Sequence, residues 1–140
     1  MAGAAPEALF FFSGMATAKT VVGMKILIAE DTESVRFALR LAVEYFGHEV
    51  VGTATDGQDA LEQYKRTHPE VVLMDIRMPR MDGLKCASMM AQQDPNARIV
   101  LLTGGRTTEA DALRAGARGF LEKPFDLFEL GRLVSALTPA

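Results

Sequence analysis

The sequence predicts an α/β protein: a parallel sheet covered by helices on both faces. Three observations lead there. Short apolar runs of β type alternate with stretches whose apolar residues recur at helical spacing, and the unit repeats five times over residues 24–140. The strand runs are apolar almost throughout, as strands buried on both faces are. The connections are too short to hold anything but one crossover helix each, the pattern of an α/β sheet.

Each element has its own signal. Met24-Lys25-Ile26-Leu27-Ile28-Ala29 reads as the first strand and ends at Glu30-Asp31. Asp31 or Thr32 is placed to cap a helix carrying Val35, Leu39, Ala42, Val43 and Phe46, which Gly47 closes. Residues 49–54 form a short second strand, and Asp56-Gly57 turns into a helix with Ala60, Leu61 and Tyr64 on its face. His68-Pro69 stops that helix, because the residue before proline avoids the α region. Val71 to Met74 is the third strand, and Asp82-Gly83 opens a helix bearing Leu84, Ala87, Met90 and Ala91. Residues 98–102 form the fourth strand. Thr107 or Thr108 caps a helix whose face is assigned to Ala110 and Leu113. Residues 119–122 form the fifth strand, Lys123-Pro124-Phe125 breaks it, and the last helix starts near Asp126 with Leu127, Leu130, Val134 and Leu137.

Composition narrows the function classes. A chain of 140 residues suits one domain with a real core. A net charge of −3 gives no general attraction to nucleic acid or anionic membrane. One cysteine, Cys86, excludes an internal disulfide and fits a reducing, cytoplasmic compartment. No apolar run reaches the ~18 residues of a membrane span. Residues 1–23 read as an N-terminal extension without a catalytic role. Their run Ala8-Leu9-Phe10-Phe11-Phe12 lacks a preceding basic residue and makes a poor signal peptide; its alternative use is docking on the domain or on a partner.

In an open parallel sheet, reactive groups collect past the carboxyl ends of the strands. This sequence places Glu30 and Asp31 after the first strand, Asp75 after the third, Thr103 after the fourth and Lys123 after the fifth. Singly, each is a turn or cap residue. Together they are three carboxylates, a hydroxyl and an ammonium in one crevice. Three carboxylates repel one another unless a cation intervenes, and an all-oxygen set suits Mg²⁺. No paired histidines or cysteines suggest zinc, and His48 and His68 are read as surface residues. A carboxylate can also act as a nucleophile toward phosphorus, with the ammonium and the metal neutralising the transferring oxygens.

The order Glu30-Asp31, Met74-Asp75-Ile76-Arg77-Met78-Pro79, Asp82-Gly83, Thr103, Ala115 to Phe120, Lys123-Pro124-Phe125 resembles the receiver domain of two-component response regulators, in its stand-alone, CheY-like form. The resemblance covers residues 24–138. It implies a flavodoxin-like (βα)5 doubly wound sandwich with sheet order 2-1-3-4-5. It implies that Asp75 accepts a phosphoryl group from a histidine kinase or phosphotransfer protein. Mg²⁺ is then held by Glu30, Asp31, Asp75 and the backbone carbonyl of Arg77. Thr103 and Lys123 contact the phosphoryl group, Thr103 and Phe120 form the switch, and the Lys123-Pro124 peptide is cis. The resemblance further implies a downstream protein bound on the helix 4–strand 5–helix 5 face, where Arg106, Arg114, Arg118 and Glu122 are candidate surface residues. It implies no direct binding of nucleic acid, a monomer or weak homodimer, and catalysis of nothing beyond its own phosphorylation and dephosphorylation.

Two departures matter. Glu30 stands where the family also uses Asp, and its extra methylene changes its reach. Phe120 lacks a phenolic hydroxyl, so its ring can turn but cannot hydrogen-bond. Competing readings are weaker. A phosphohydrolase with an Asp nucleophile wants an acid two residues on, where Arg77 stands. A flavin-binding protein wants a phosphate loop after the first strand, where Glu30-Asp31 would repel the flavin phosphate. A degenerate scaffold would not retain the acidic, Thr and Lys set.

Overall fold

Strands apolar on both faces need a helical layer on each side, and the chain supplies them. The computed structural model describes residues 23–137. Five strands and five helices alternate among them: β1 (Lys25–Ala29), α1 (Glu33–Tyr45), β2 (Glu49–Ala54), α2 (Gly57–Thr67), β3 (Val71–Asp75), α3 (Gly83–Gln93), β4 (Ile99–Thr103), α4 (Glu109–Arg114), β5 (Gly119–Glu122) and α5 (Leu127–Ala136). All strand pairings are parallel, in the order β2-β1-β3-β4-β5. The fold class and strand order expected from the sequence are therefore those observed. Residues 1–22, which include the Phe10–Phe12 run, lie outside the described residues.

Side chains alternate across a strand, and the alternation sorts the core into two halves. Ile26, Ile28, Val71, Leu73, Val100 and Leu102 point to one face, where Leu39, Ala42 and Val43 of α1 meet Leu130 and Val134 of α5. Leu27, Ala29, Val72, Met74, Ile99 and Leu101 point to the other, where they meet α2, α3 and Ala112 of α4. Every residue of β3 and β4 is buried. Each fully buried aliphatic chain contributes about 1.5–3 kcal/mol, so the three central strands dominate the stability.

Most helix ends follow the sequence signals. Asp56, Asp82, Thr108 and Asp126 each accept a backbone N–H in the first turn of their helix, and Thr108 with Asp111 forms a reciprocal capping box. Gly47 ends α1 at φ 92, a conformation that favours glycine. His68 ends α2 in the left-handed region, at φ 49, ψ 58.

Three expectations are corrected. First, Thr32 occupies the N-cap of α1, but its side chain makes no capping bond; its N–H donates instead to Glu30 Oε2 at 3.0 Å. Second, the buried face of α4 is Ala112. Ala110 is exposed and Leu113 is 62% exposed, because this helix is too short and too peripheral to bury a stripe. Third, His48 is not a surface residue. It is 5% exposed, and its Nδ1 accepts the Met24 N–H at 3.1 Å. The turn after α1 folds under the start of β1, so position 48 faces inward. His68 is exposed, as expected.

Burial holds the His48 pKa below its ordinary 6.5, with the charge of Glu70 acting weakly in the opposite direction. At pH above 6.5 both folded and unfolded chains hold it neutral. As pH falls below that value the unfolded chain takes a proton that the folded one refuses, so stability drops by up to about 1.4 kcal/mol per pH unit. In His48→Asn, which keeps an acceptor for Met24 but cannot titrate, the fall in melting temperature between pH 7 and pH 5 is expected to be shallower than in the wild type.

Candidate functional site

The sheet order reverses between β1 and β3, which opens a crevice beyond the carboxyl ends of the strands. Ladder bonds fix what reaches it. The Glu30 N–H donates to the Ala54 carbonyl at 2.9 Å, the Ile76 N–H to Leu102 at 3.1 Å, and the Lys123 N–H to Thr103 at 2.6 Å. The residues at these strand ends are thereby held level with one another.

Lys123 Nζ donates to Asp75 Oδ1 at 2.8 Å and lies 3.4 Å from Glu30 Oε1. Asp75 and Glu30 are 5% and 1% exposed. Glu30 is pinned at three points. Its Oε2 accepts the Thr32 N–H, its Oε1 faces Lys123, and its own carbonyl accepts from Arg36 Nη1 at 2.8 Å. Asp31 is exposed beside them, and one oxygen from each of Glu30, Asp31 and Asp75 lies within 4.8 Å of the others.

Three carboxylates face one ammonium. Burial pushes the Glu30 carboxyl above its ordinary range; the Thr32 N–H bond opposes this, and the negative charge of Asp75 adds to it. Burial pulls the Lys123 ammonium down, but its hydrogen bond to Asp75 and the charges of Asp75 and Glu30 outweigh it, and the net shift is upward. The surplus negative charge and the all-oxygen donor set fit a hard divalent cation.

Asp75, Ile76, Arg77, Thr103, Gly104 and Lys123 line a cavity of about 170 Å³. Thr103 is buried, and its Oγ1 accepts the Gly105 N–H at 3.2 Å. The Arg77 side chain is exposed, and its guanidinium comes 3.5 Å from where a Cβ on Gly105 would stand. The Lys123-Pro124 peptide is cis. Of the residues singled out from the sequence, Glu30, Asp31, Asp75, Arg77, Thr103 and Lys123 gather at one place. Phe120 lies apart from the cavity that Asp75, Arg77, Thr103 and Lys123 line. It pairs with Leu101, is half-buried, and lines a separate hollow with Ala112, Leu113 and Arg118.

Sequence reasoning missed two supports of the site. Arg36 and the Thr32 N–H orient Glu30, and only the helical phase of α1 relative to the strand end could have signalled them. Gly83 does more than open α3. A Cβ there would lie 2.3 Å from the Asp75 carbonyl oxygen and 2.8 Å from Ile76 Cα, and the Gly83 N–H donates to the Ile76 carbonyl at 2.7 Å. Glycine is thus required for α3 to start against the backbone that carries Asp75. Asp82 caps α3 through the Lys85 N–H.

Comparison with known proteins agrees with this geometry. The model of the response regulator receiver domain matches residues 26–135. The chain belongs to that family. This receiver is 37% identical over 118 residues to the chemotaxis protein CheY of Thermotoga maritima, covering 83% of this chain and 96% of that protein. It is 39% identical over 103 residues to CheY of Bacillus subtilis, covering 72% and 86%. Among solved structures, it is similar to the signal receiver domain of the response regulator NarL from Mycobacterium tuberculosis, with a TM-score of 0.78, 30% identity, and coverage of 84% and 98%. The CheX–CheY–BeF3–Mg²⁺ complex from Borrelia burgdorferi gives a TM-score of 0.78 at 29% identity, covering 83% and 90%.

The acidic cluster predicts a metal response. Millimolar Mg²⁺ should raise the melting temperature of the wild type. In Asp31→Asn the midpoint of that titration should move at least about tenfold higher, since a charged contact is worth roughly 1.5–3 kcal/mol. Thermal shift against Mg²⁺ concentration checks it; an unchanged midpoint would remove Asp31 from the metal site.

Proposed function

We propose that this receiver is a phosphorylation-controlled signalling switch that accepts a phosphoryl group on Asp75. The observation that carries the reading is the Lys123 Nζ to Asp75 Oδ1 bond of 2.8 Å at the mouth of the Thr103-lined cavity. Lys123 holds Oδ1, while no hydrogen bond from a described residue engages Oδ2. That oxygen attacks phosphorus. The new P–O bond forms as the bond from phosphorus to the donor breaks, and the electron pair leaves with the donor, the imidazole of a histidine kinase or phosphotransfer protein. Lys123 is placed to move with the added charge and pair with a phosphoryl oxygen.

Glu30, Asp31, Asp75 and the Arg77 carbonyl would hold Mg²⁺, which neutralises negative charge on the transferring oxygens when bound. Glu30 is restrained by Thr32 and Arg36 and Asp75 is buried, so exposed Asp31 is its most accessible carboxylate.

A phosphoryl group adds roughly two negative charges and strong acceptor oxygens. The Thr103 hydroxyl can turn its proton toward one of them while its oxygen keeps the Gly105 N–H. Movement of Thr103 then shifts the β4–α4 loop, and the half-buried Phe120 ring turns inward. The face changed is α4–β5–α5, where Arg106, Arg114, Arg118 and Glu122 are exposed. A downstream protein binds there. The Borrelia CheY bound with CheX, BeF3 and Mg²⁺ supports a receiver of this kind engaging a protein partner. The switch works in the cytoplasm, without direct contact to nucleic acid, and turns over only its own phosphoryl group. Among the described residues no helix is long and apolar enough to cross a membrane.

Incubation with Mg²⁺ and a small acyl phosphate should add one phosphoryl group to the wild type, seen by intact mass, and none to Asp75→Asn. Absence of the adduct on the wild type with several donors would overturn the reading.

Phe120→Ala tests the switch. It should accept the phosphoryl group at a rate within about twofold of wild type. The phosphorylation-dependent change in amide exchange over residues 104–122 should be largely lost. A full exchange response in this variant would remove Phe120 from the switch.

A further inference from the structure

Helix α1 carries a second apolar stripe that the fold does not use. Phe37, Leu41 and Tyr45 follow one another at helical spacing and are 61%, 51% and 48% exposed. The stripe continues onto α5. The Phe46 ring meets the Tyr45 ring edge-on at 5.5 Å and the Phe128 ring edge-on at 6.1 Å, and Phe128 is itself 61% exposed. A groove of about 290 Å³ runs beside it between α1 and the β5–α5 connection, lined by Ala38, Leu39, Pro124, Phe125 and Leu127 among others. A continuous patch of this kind marks an interaction surface.

Where the described chain begins says what can cover it. A Cβ on Gly23 would lie 2.4 Å from the Gly47 carbonyl, so the chain enters β1 hard against the turn that ends α1, beside Tyr45. Residues 13–22 separate Gly23 from the run Ala8-Leu9-Phe10-Phe11-Phe12. Extended, they reach about 33 Å, whereas α1 is about 20 Å long. The run therefore reaches every point of the stripe from its own attachment. His48 lies at this entry point. Its Nδ1 holds the Met24 N–H, while its Nε2 is buried with no hydrogen-bond partner among the described residues. A backbone carbonyl of the incoming segment is the group that such a donor wants.

The size also fits. Four side chains exposed for about half their surface offer roughly 400 Å², short of the ~800 Å² per partner of a stable dimer. A five-residue apolar segment matches it. Three phenylalanines left in water forgo about 1.5–3 kcal/mol each.

We propose that residues 8–12 of this chain dock intramolecularly on the α1 stripe of Phe37, Leu41 and Tyr45, extending toward Phe128. The segment is then a built-in cover for the α1–α5 face, whatever reacts at Asp75. Any partner that binds that face must displace it.

Paired cysteines in the full chain test this. Phe11→Cys with Leu41→Cys should form an intramolecular disulfide at least tenfold faster than Phe11→Cys with Glu62→Cys, whose second site is exposed on α2. The native Cys86 does not interfere, because it is fully buried and burial pushes its thiol up to about 12. Equal rates, or disulfides formed between molecules, would overturn the proposal. A second readout uses an apolar fluorescent dye on folded, full-length protein. The variant F10S/F11S/F12S should bind at least twofold more dye than the wild type because the stripe is uncovered, and adding Leu41→Ser should cancel the gain. A fall in dye binding in the triple variant would show that the run and the stripe were both open to begin with, and the proposal would fail.

Discussion

The candidate site depends on a charge imbalance that the fold itself creates. Parallel pairing of β1, β3, β4 and β5 levels the strand ends, which carry an acid after β1 and on β3 and a base after β5. Glu30 and Asp75 are both buried, and Lys123 is the ammonium that meets them, at 3.4 and 2.8 Å. Buried ion pairs are poor sources of net stability, because desolvation opposes the Coulomb gain. This one is better understood as a site kept ready for further charge. The upward displacement of the Glu30 carboxyl by burial is the sign that negative charge is held there at a cost.

The surroundings serve that arrangement. The Thr32 N–H holds the Glu30 carboxylate, and Arg36 clamps the same residue through its carbonyl. Gly83 lets α3 start against the Asp75 backbone. The apolar mass of β3 and β4 carries Asp75 and Thr103 on the two fully buried strands, while Thr103 opens into a loop of exposed glycines. Asp75 and Thr103 thus stand side by side on buried strands, with the loop that follows Thr103 open to solvent.

Much of this was legible in the sequence, for identifiable reasons. Strand-end residues such as Asp75, Thr103 and Lys123 could be read because each follows an apolar run, and the parallel architecture brings such ends together whatever the details. Strand order was not readable from periodicity and came from family resemblance. His48 was misjudged because a turn position carries no mark of whether the chain folds outward or under the sheet. Leu113 was misjudged because α4 is short, and a few residues do not fix a helical phase. The restraints on Glu30 and the close approach at Gly83 depend on three-dimensional contact and leave no local pattern. The Phe37-Leu41-Tyr45 stripe was hidden for a related reason: α1 already had an apolar face that satisfied the periodicity.

Asp75 is the carboxylate proposed to take the phosphoryl group. Borohydride reduction of the acyl-phosphate-treated, Mg²⁺-loaded protein, followed by peptide mapping, locates the acyl phosphate directly because reduction converts the modified aspartate to homoserine. Homoserine is expected at position 75 and nowhere else. Homoserine at another aspartate, or an unreduced Asp75 in protein that carries the phosphoryl mass, would contradict it.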